Sequence, residues 1–518
     1  MTAKKKKKLV KKEAKKTVKK AMKKAGVKKK NTKNAAKKVI KVKKKAAKKV
    51  VPKKKKVSLP KKQNAGKKPA FRKAKAVGTS KKRNIKVDVH HLTRVEGHGN
   101  IVIDVKNGIV KKCQWQVPEA PRFFEAMVRD RHYSEVARIT SRICGICSVG
   151  HTLASVKASE AALGIDITEQ TRNLRKLLKH AENFDSHILH IFFLVAPDLL
   201  GAPSVFPLVE KHGPVVAMAL RLKRLGHEWG ALIGGRTTHP TTVVPGGFTK
   251  LPTEIELREL RAKILAHEQD LVTTADLVLS LAGKIPNFNR PTEYIALSSD
   301  DDYELYSGEI KSTLYDGSIA TYKVADYRSV TNEYLTPQST AKWTKNRHES
   351  YAAGALARFN NNYDKLHEKA LAVATKFGLK PICTNPFMNS VAQLVEVVND
   401  VYQSVALIDQ ILKDGIKDEP LVRPTKFSKG AGAVEVPRGI LFHEYEYDKD
   451  GMCISGNCII PTNQNHANIQ KDFEALLPFV MNLNYNNDEI KLAFEMLVRA
   501  YDPCISCSTH YLDIIIEE

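Results

Sequence analysis

Four of the eight cysteines stand in two pairs, each pair separated by two residues. The first lies in Arg142-Ile143-Cys144-Gly145-Ile146-Cys147-Ser148-Val149-Gly150-His151 and the second in Asp502-Pro503-Cys504-Ile505-Ser506-Cys507-Ser508-Thr509-His510. That spacing lets both sulfurs of a pair converge on one ion across a tight turn, and Gly145 removes a side chain that would crowd it. Structural zinc is the commonest meaning of two such pairs. Zinc modules, however, keep their pairs within about 15–20 residues, and here Cys147 and Cys504 are 357 residues apart. A thioredoxin-like dithiol needs only one pair. An iron–sulfur cluster would use all four thiolates but gives no role to the flanking histidines and acids. Soft thiolates around a redox-active transition metal with open coordination fit best. Cys113, Cys383 and Cys453 are isolated and read as small buried hydrophobes.

The elements that must bring these motifs together are mostly helical. Residues 85–117 read as a β-hairpin turning at Asn107-Gly108. Asp166 with Glu169 resembles a capping box opening a long apolar-periodic helix, on which His180, His187 and His190 are packed or hydrogen-bonded. Thr253 with Glu256 makes a similar start, for a helix ending at Gly283, and 395–412 is another. Residues 292–345 are richer in Tyr, Thr and Ser and read as strands and loops over the helices. The fold class is α+β: a helix-dominated core (a helical bundle) with peripheral β-hairpins and sheets, in a single domain over 84–518.

The charge of +32 on 518 residues is not spread over that domain. Residues 1–83 hold 39 Lys and Arg against the single acid Glu13, a formal +38, which leaves −6 on the remainder. A Lys/Ala-rich segment with Phe71 as its one aromatic residue cannot bury enough apolar area to offset ordering, so disorder is expected. A phosphate-binding tail for nucleic acid or another acidic partner and a solvated tail with no specific partner both stay open. The longest apolar run, 188–200, is broken by His190, Pro197 and Asp198 and falls short of the ~20 residues a membrane span needs. No secretory h-region is visible, so a cytoplasmic protein is expected.

Taken with their surroundings, the two cysteine motifs resemble the signatures of the large, catalytic subunit of nickel–iron hydrogenases. Thr93-Arg94-Val95-Glu96-Gly97-His98 matches that family's Arg-x-Glu-Gly-His segment. Pro121-Arg122-Phe123-Phe124-Glu125 matches its Arg-Gly-Phe-Glu region, with Phe123 in place of the usual glycine. Gly235-Arg236-Thr237-Thr238-His239-Pro240 with Pro245-Gly246-Gly247, then Val436-Pro437-Arg438-Gly439, then Ile460-Pro461-Thr462 follow in the family's order. The resemblance covers essentially all of 90–510. The Cys-Gly-Ile-Cys-Ser and Cys-Ile-Ser-Cys-Ser forms are similar to the cytoplasmic, soluble-acceptor type (methyl-viologen-reducing or sulfhydrogenase alpha-like).

What the resemblance implies is specific. Cys144 and Cys504 bind nickel terminally, and Cys147 and Cys507 bridge it to an iron carrying carbon monoxide and cyanide. Dihydrogen is split reversibly and heterolytically, the proton going to the Cys504 thiolate and then to Glu96. Arg438 lies over the open metal face. Thr462, beside Pro461, donates to a cyanide, and His151 hydrogen-bonds a bridging thiolate. Glu125 and His510, with the Cys458 carbonyl, hold a Mg²⁺ or Fe²⁺ ion near the C-terminus. His239 is a structural or supporting residue rather than a ligand. The remaining cysteines, Cys113, Cys383, Cys453 and Cys458, are scattered and make no set to hold an iron–sulfur cluster, so electrons must leave through a cluster-bearing small subunit. Flavin or heterodisulfide-reductase-type subunits lie beyond it, and maturation factors load the metals. Only residues 511–518 follow His510, so whether a terminal peptide is cleaved stays open. Two rivals are weighed against this. The quinone-reductase subunit of respiratory complex I shares the fold but lacks the four cysteines; a nucleic-acid-binding protein would be driven by the tail.

Overall fold

The computed structural model describes residues 83–510. The expectations for the basic tail and for residues 511–518 lie outside them, apart from Arg83. The N-terminal sheet is antiparallel, formed by β1 (Ile85–Val89), β2 (Asn100–Lys106) and β3 (Ile109–Gln116) in that order. Asn107 and Gly108 both take positive φ, 52° and 78°, which is the paired left-handed turn that the Asn-Gly step favours. Ile101, Ile103 and Val105 alternate inward from β2, as a half-buried strand requires.

The helical core begins with α1 (Ser148–Leu163) and α2 (Glu169–Leu189). The cap of α2 is Thr168 rather than Asp166: its hydroxyl accepts from the Thr171 amide at 3.1 Å. After α2 the chain continues through a π-helical stretch, His190–Val195. Next come α3 (Leu208–Gly234), α4 (Glu254–Ala266) and α5 (Glu268–Leu281). Thr253 and Glu256 form the expected reciprocal capping box. The single helix read as running to Gly283 is instead two helices broken at His267, which leaves helical geometry at φ −99°, ψ 7°.

Residues 293–352 supply a four-stranded sheet of β4 (Glu293–Ser298), β5 (Glu309–Leu314), β6 (Ile319–Tyr322) and β7 (Tyr351–Ala352). Its order is β7-β4-β5-β6, with β7 parallel to β4. Helix α6 (Ala355–Asn362) follows, then α7 (Asn389–Asp414), whose apolar stripe packs on α2. A second antiparallel sheet, β8 (Lys429–Val436), β9 (Gly439–Tyr447) and β10 (Cys453–Ile459), leads into α8 (Pro461–Asn482) and α9 (Asn487–Ala500). This is the α+β architecture expected, helices dominating. Among the described residues no helix is long and apolar enough to cross a membrane.

Two contacts position the cysteine motifs. Helix α1 starts at the first motif, Cys147 being its N-cap residue, and lies flat on β8. That closeness needs a strand without side chains: a Cβ on Gly432 would stand 2.5 Å from the Ala158 amide nitrogen and 2.8 Å from the Ala154 carbonyl. Backbone atoms there cannot yield. Gly432→Val is therefore expected to lower stability by at least the ~1–3 kcal/mol of ordinary overpacking, read as a fall in the thermal midpoint of the purified chain.

The second motif lies against the segment around Glu96. Glu96 and Cys504 form an isolated parallel bridge, the Ile505 amide donating to the Glu96 carbonyl at 2.8 Å. Gly97, at φ +85°, lets the strands touch, because a Cβ there would stand 2.6 Å from the Ser506 nitrogen. Gly145 is different: a Cβ would meet nothing within 4 Å and its φ is not positive. The first turn is therefore not crowded as its sequence implied.

Candidate metal centre

Cys144, Cys147, Cys504 and Cys507 converge, their sulfurs all within 4.8 Å of one another and all four residues buried. Cys144 Sγ lies 3.6 Å from Cys504 Sγ, and the Cys504 and Cys507 sulfurs are in contact. The first turn aims two amides at one sulfur: Ile146 N–H at 3.2 Å and Cys147 N–H at 3.1 Å both donate to Cys144 Sγ. Burial pushes the Cys144 thiol up, but the Cys147 thiol, the Arg438 charge and these amides together bring it below the ordinary thiol range. The Cys147 thiol is pushed well up by the Cys144 thiol it donates to and by burial.

Around this cluster the flanking residues are arranged in depth. Glu96 Oε2 lies 3.1 Å from Cys504 Sγ, within reach of a thiol proton. The same carboxylate is held by Ser506, through its amide at 3.1 Å and its hydroxyl. Thr462, at the start of α8, accepts from the Cys504 amide at 3.0 Å, so its own hydroxyl proton is free to donate elsewhere. Pro461, at the first position of α8, fixes the entry of that helix.

Arg438 is 3% exposed. Its Nε donates to the Asp502 carbonyl at 2.6 Å and one terminal nitrogen to Asp502 Oδ1 at 2.9 Å. The other terminal nitrogen, Nη1, is buried with no partner among the described residues. Burial opposes its charge, but Asp502, Cys147, Cys144 and Glu96 outweigh that and hold it more firmly protonated than usual. His151 Nδ1 meets His443 Nε2 at 3.1 Å, and His151 Nε2 is likewise buried without a partner. Arg438 Nη1 and His151 Nε2, both buried without a partner among the described residues, fit a bound group that the chain itself does not supply.

A second convergence lies close by. His510 Nδ1 must donate to the Cys507 carbonyl at 3.1 Å, so a neutral ring turns the lone pair of Nε2 to Glu125 Oε1, also 3.1 Å away. Two acceptors face each other unless a proton or a cation stands between them. Burial works against a charged His510, yet Glu125 raises its proton affinity. Glu125 itself, although burial pushes it up, is lowered by His510 and by the Cys458 amide, which donates to Oε1 at 2.8 Å. The donor set fits a hard or borderline cation. Phe123, two residues before Glu125, holds φ +59°, a left-handed conformation that suits the glycine the sequence comparison expected there.

Several supporting residues are given no role by the sequence. Arg122 clamps the two motifs, donating to the Ser506 carbonyl at 2.5 Å and to the Ile143 carbonyl at 2.7 Å. Arg358, fully buried, grips Glu396 through two nitrogens at 2.7 and 2.6 Å and Glu435 at 2.8 Å. It also donates to the carbonyls of Val436 and Pro437, the two residues ahead of Arg438. As expected, the histidines of α2 and of the π-helical stretch after it are packed: His180 on Asp400 at 2.8 Å, His187 on Glu396 at 2.7 Å and His190 on Gln393 at 2.5 Å. His239 is half-buried and donates to the Ser141 carbonyl at 3.0 Å. Of the isolated cysteines, Cys453 is buried whereas Cys113 and Cys383 are partly exposed.

Comparison with known proteins agrees along the whole described body. The family model described as nickel-dependent hydrogenase matches residues 122–207 and 306–510, and one described as HoxL-like matches 86–120. Sulfhydrogenase 1 subunit alpha of Pyrococcus furiosus is 33% identical, over 82% of this chain and 97% of its own length. Sulfhydrogenase 2 subunit alpha of the same organism is 31% identical, over 83% of this chain and 100% of its own. Among solved structures, an NAD+-reducing [NiFe]-hydrogenase in the H2-reduced state superposes with a TM-score of 0.74 at 27% identity, covering 82% of this chain and 99% of that one.

Proposed function

The chain belongs to the nickel-dependent hydrogenase family, as a catalytic large subunit, and from that premise we propose how its own residues divide the work. Cys144 and Cys504 would hold nickel alone, and Cys147 and Cys507 would hold nickel and iron together. When bound, a nickel–iron group whose iron carries carbon monoxide and cyanide supplies the heterolytic splitting of dihydrogen and takes up its electrons. Cys504 Sγ receives the proton, and Glu96 Oε2, 3.1 Å away, accepts it next. Ser506 keeps the Glu96 carboxylate turned to the sulfur. Arg438, locked on Asp502, holds a fixed positive charge against the thiolates. Thr462 offers its hydroxyl proton to a cyanide, and His151 offers Nε2 to a bridging sulfur. Glu125 and His510, with the Cys458 carbonyl, hold a Mg²⁺ or Fe²⁺ ion.

The observation that carries this reading is the four-sulfur convergence with a carboxylate oxygen in proton-transfer distance of one of them. The four cysteines left over, Cys113, Cys383, Cys453 and Cys458, do not gather into a metal-holding group among the described residues. Electrons therefore pass to a cluster-bearing small subunit and, through flavin or heterodisulfide-reductase-type components, to a soluble acceptor in the cytoplasm. Residues 1–83 are read as an addition to the enzymatic domain of 84–518, since 83% of the chain already spans a whole relative. The test is elemental and spectroscopic. The complex purified without oxygen is expected to hold one nickel per chain and to give infrared bands of metal-bound carbon monoxide and cyanide; zinc alone in the four-cysteine site would refute the assignment.

A further inference from the structure

Helix α1 begins at a cysteine of the four-sulfur group, and its first turn is capped from another element. Cys147 is the N-cap residue, yet its side chain makes no cap hydrogen bond. An N-cap side chain ordinarily accepts from the amide two or three residues on. Here the third, Gly150 N–H, donates instead to Glu182 Oε1 at 2.8 Å. Glu182 lies on α2, where Lys179, three residues earlier, pairs with it. The Lys179 side chain is fully buried, and among the described residues its ammonium pairs with Glu182 alone. Gly150 makes room for the carboxylate: a Cβ there would collide with the Val436 side chain and stand 3.1 Å from Glu182 Oε2.

The proposed reaction gives this pair no role, and stability does not account for it, because a buried ion pair is often no better than well-packed apolar residues of its size. What the pair does alter is the supply of amides at the first cysteine turn. Ile146 N–H and Cys147 N–H go to Cys144 Sγ, and Gly150 N–H goes to Glu182. No amide among the described residues caps on to Cys147 Sγ, which lies with the other three sulfurs, all within 4.8 Å of one another. The N-terminus of a helix attracts a thiolate. Were the Gly150 amide vacant, Cys147 would hold the ordinary capping position for it, and turning to it would draw the sulfur away from the group. Lys179 completes the arrangement by neutralising a carboxylate that would otherwise be an uncompensated charge behind the thiolates.

We infer that Glu182 is a positioning residue: held by Lys179, it caps α1 in the place of Cys147 and so leaves the Cys147 sulfur to face the metal centre. The inference rests on the ligand assignment above, which gives Cys147 to nickel and iron together. A sulfur shared between two metals has little electron density left for an amide, whereas Cys144, assigned to nickel alone, takes two. The division of amides between the two sulfurs matches the division of metals. Because the centre's diatomic ligands sense the electron density of its sulfurs, they report any turn of Cys147 towards Gly150.

The experiment separates the acceptor oxygen from the charge, using the assembled complex. The double variant Lys179→Met, Glu182→Leu removes both charges together and takes the acceptor away. Glu182→Asp keeps the charge and draws the carboxylate back by one methylene. Both are expected to displace or split the infrared bands of metal-bound carbon monoxide and cyanide, and to lower turnover about tenfold to a hundredfold. Lys179→Met, Glu182→Gln is as neutral as the leucine variant but keeps an oxygen for Gly150, and is expected to restore the wild-type bands. Nickel lost with leucine and regained with glutamine would support the inference equally. Wild-type bands in the leucine variant, or in Glu182→Asp should the leucine variant not fold, would overturn it. So would bands as disturbed with glutamine as with leucine, which would assign the effect to charge or packing rather than to the cap. A wild type without nickel or diatomic bands would instead refute the ligand assignment.

Discussion

Glu96→Gln is expected to lower dihydrogen turnover by about two to four orders of magnitude, the range over which a positioned proton acceptor contributes, while nickel content and infrared bands stay at wild-type values. The argument is geometric. Glu96 Oε2 stands 3.1 Å from Cys504 Sγ, and the Ser506 amide and hydroxyl hold the carboxylate in that attitude. Glutamine keeps the length of the side chain and one acceptor oxygen, and the parallel bridge between residues 96 and 504 is made by backbone alone. What glutamine lacks is the ability to take a proton from the thiol and pass it on. A residue that merely braced the second motif would tolerate the change. Dihydrogen–deuterium exchange in the assembled complex separates the two: it should fall with Glu96→Gln and recover in part with Glu96→Asp, whose carboxylate is one methylene further back. Wild-type exchange in Glu96→Gln would remove Glu96 from the proton path.

The reach of sequence reasoning in this protein follows the range of the interactions. The cysteine pairs are legible from their spacing, and Glu96, Arg438 and Thr462 because each sits in a short segment that resembles a family motif. The Asn107-Gly108 turn and the Thr253 cap are legible for the same reason, being closed within a few residues. The sequence puts the cap of α2 at Asp166, two residues early, because Asp166 and Thr168 are both good caps. The choice falls on Thr168, whose hydroxyl also donates to Glu419 at 2.6 Å from 251 residues away. Arg358 and His443 are illegible for the same cause in stronger form. Each is a single polar residue in an unremarkable stretch, and its partners lie on distant elements: Glu396 and Glu435 for Arg358, His151 for His443; Arg122 stands in a matched segment, but its partner Ser506 is equally distant. Such residues would show only as buried charges needing partners, and burial is a tertiary property.

The second large effect is expected at Cys504 itself. Cys504→Ser replaces a soft, easily ionised sulfur by a hard oxygen whose proton is not given up near neutrality, so the site loses both an anionic donor and the atom that receives the proton. Turnover is expected to drop below detection. The fold should survive, because the contacts that seat residue 504 are made by its backbone: the amide donates to Thr462 Oγ1 at 3.0 Å, and its neighbours bridge to Glu96 at 2.8 and 3.3 Å. A thermal midpoint within a few degrees of wild type, together with lost nickel and lost activity, would locate the defect in the donor atom. Cys383→Ser makes the matching control. That thiol lies outside the four-sulfur group and is partly exposed, so turnover there should be unchanged. Normal turnover in Cys504→Ser would refute the assignment of this sulfur as ligand and first proton acceptor. Because Glu96 receives its proton only through Cys504, the same result would also break the path argued for Glu96. The double variant Glu96→Gln, Cys504→Ser should then be as active as Glu96→Gln alone, whereas the relay requires it to be as inactive as Cys504→Ser.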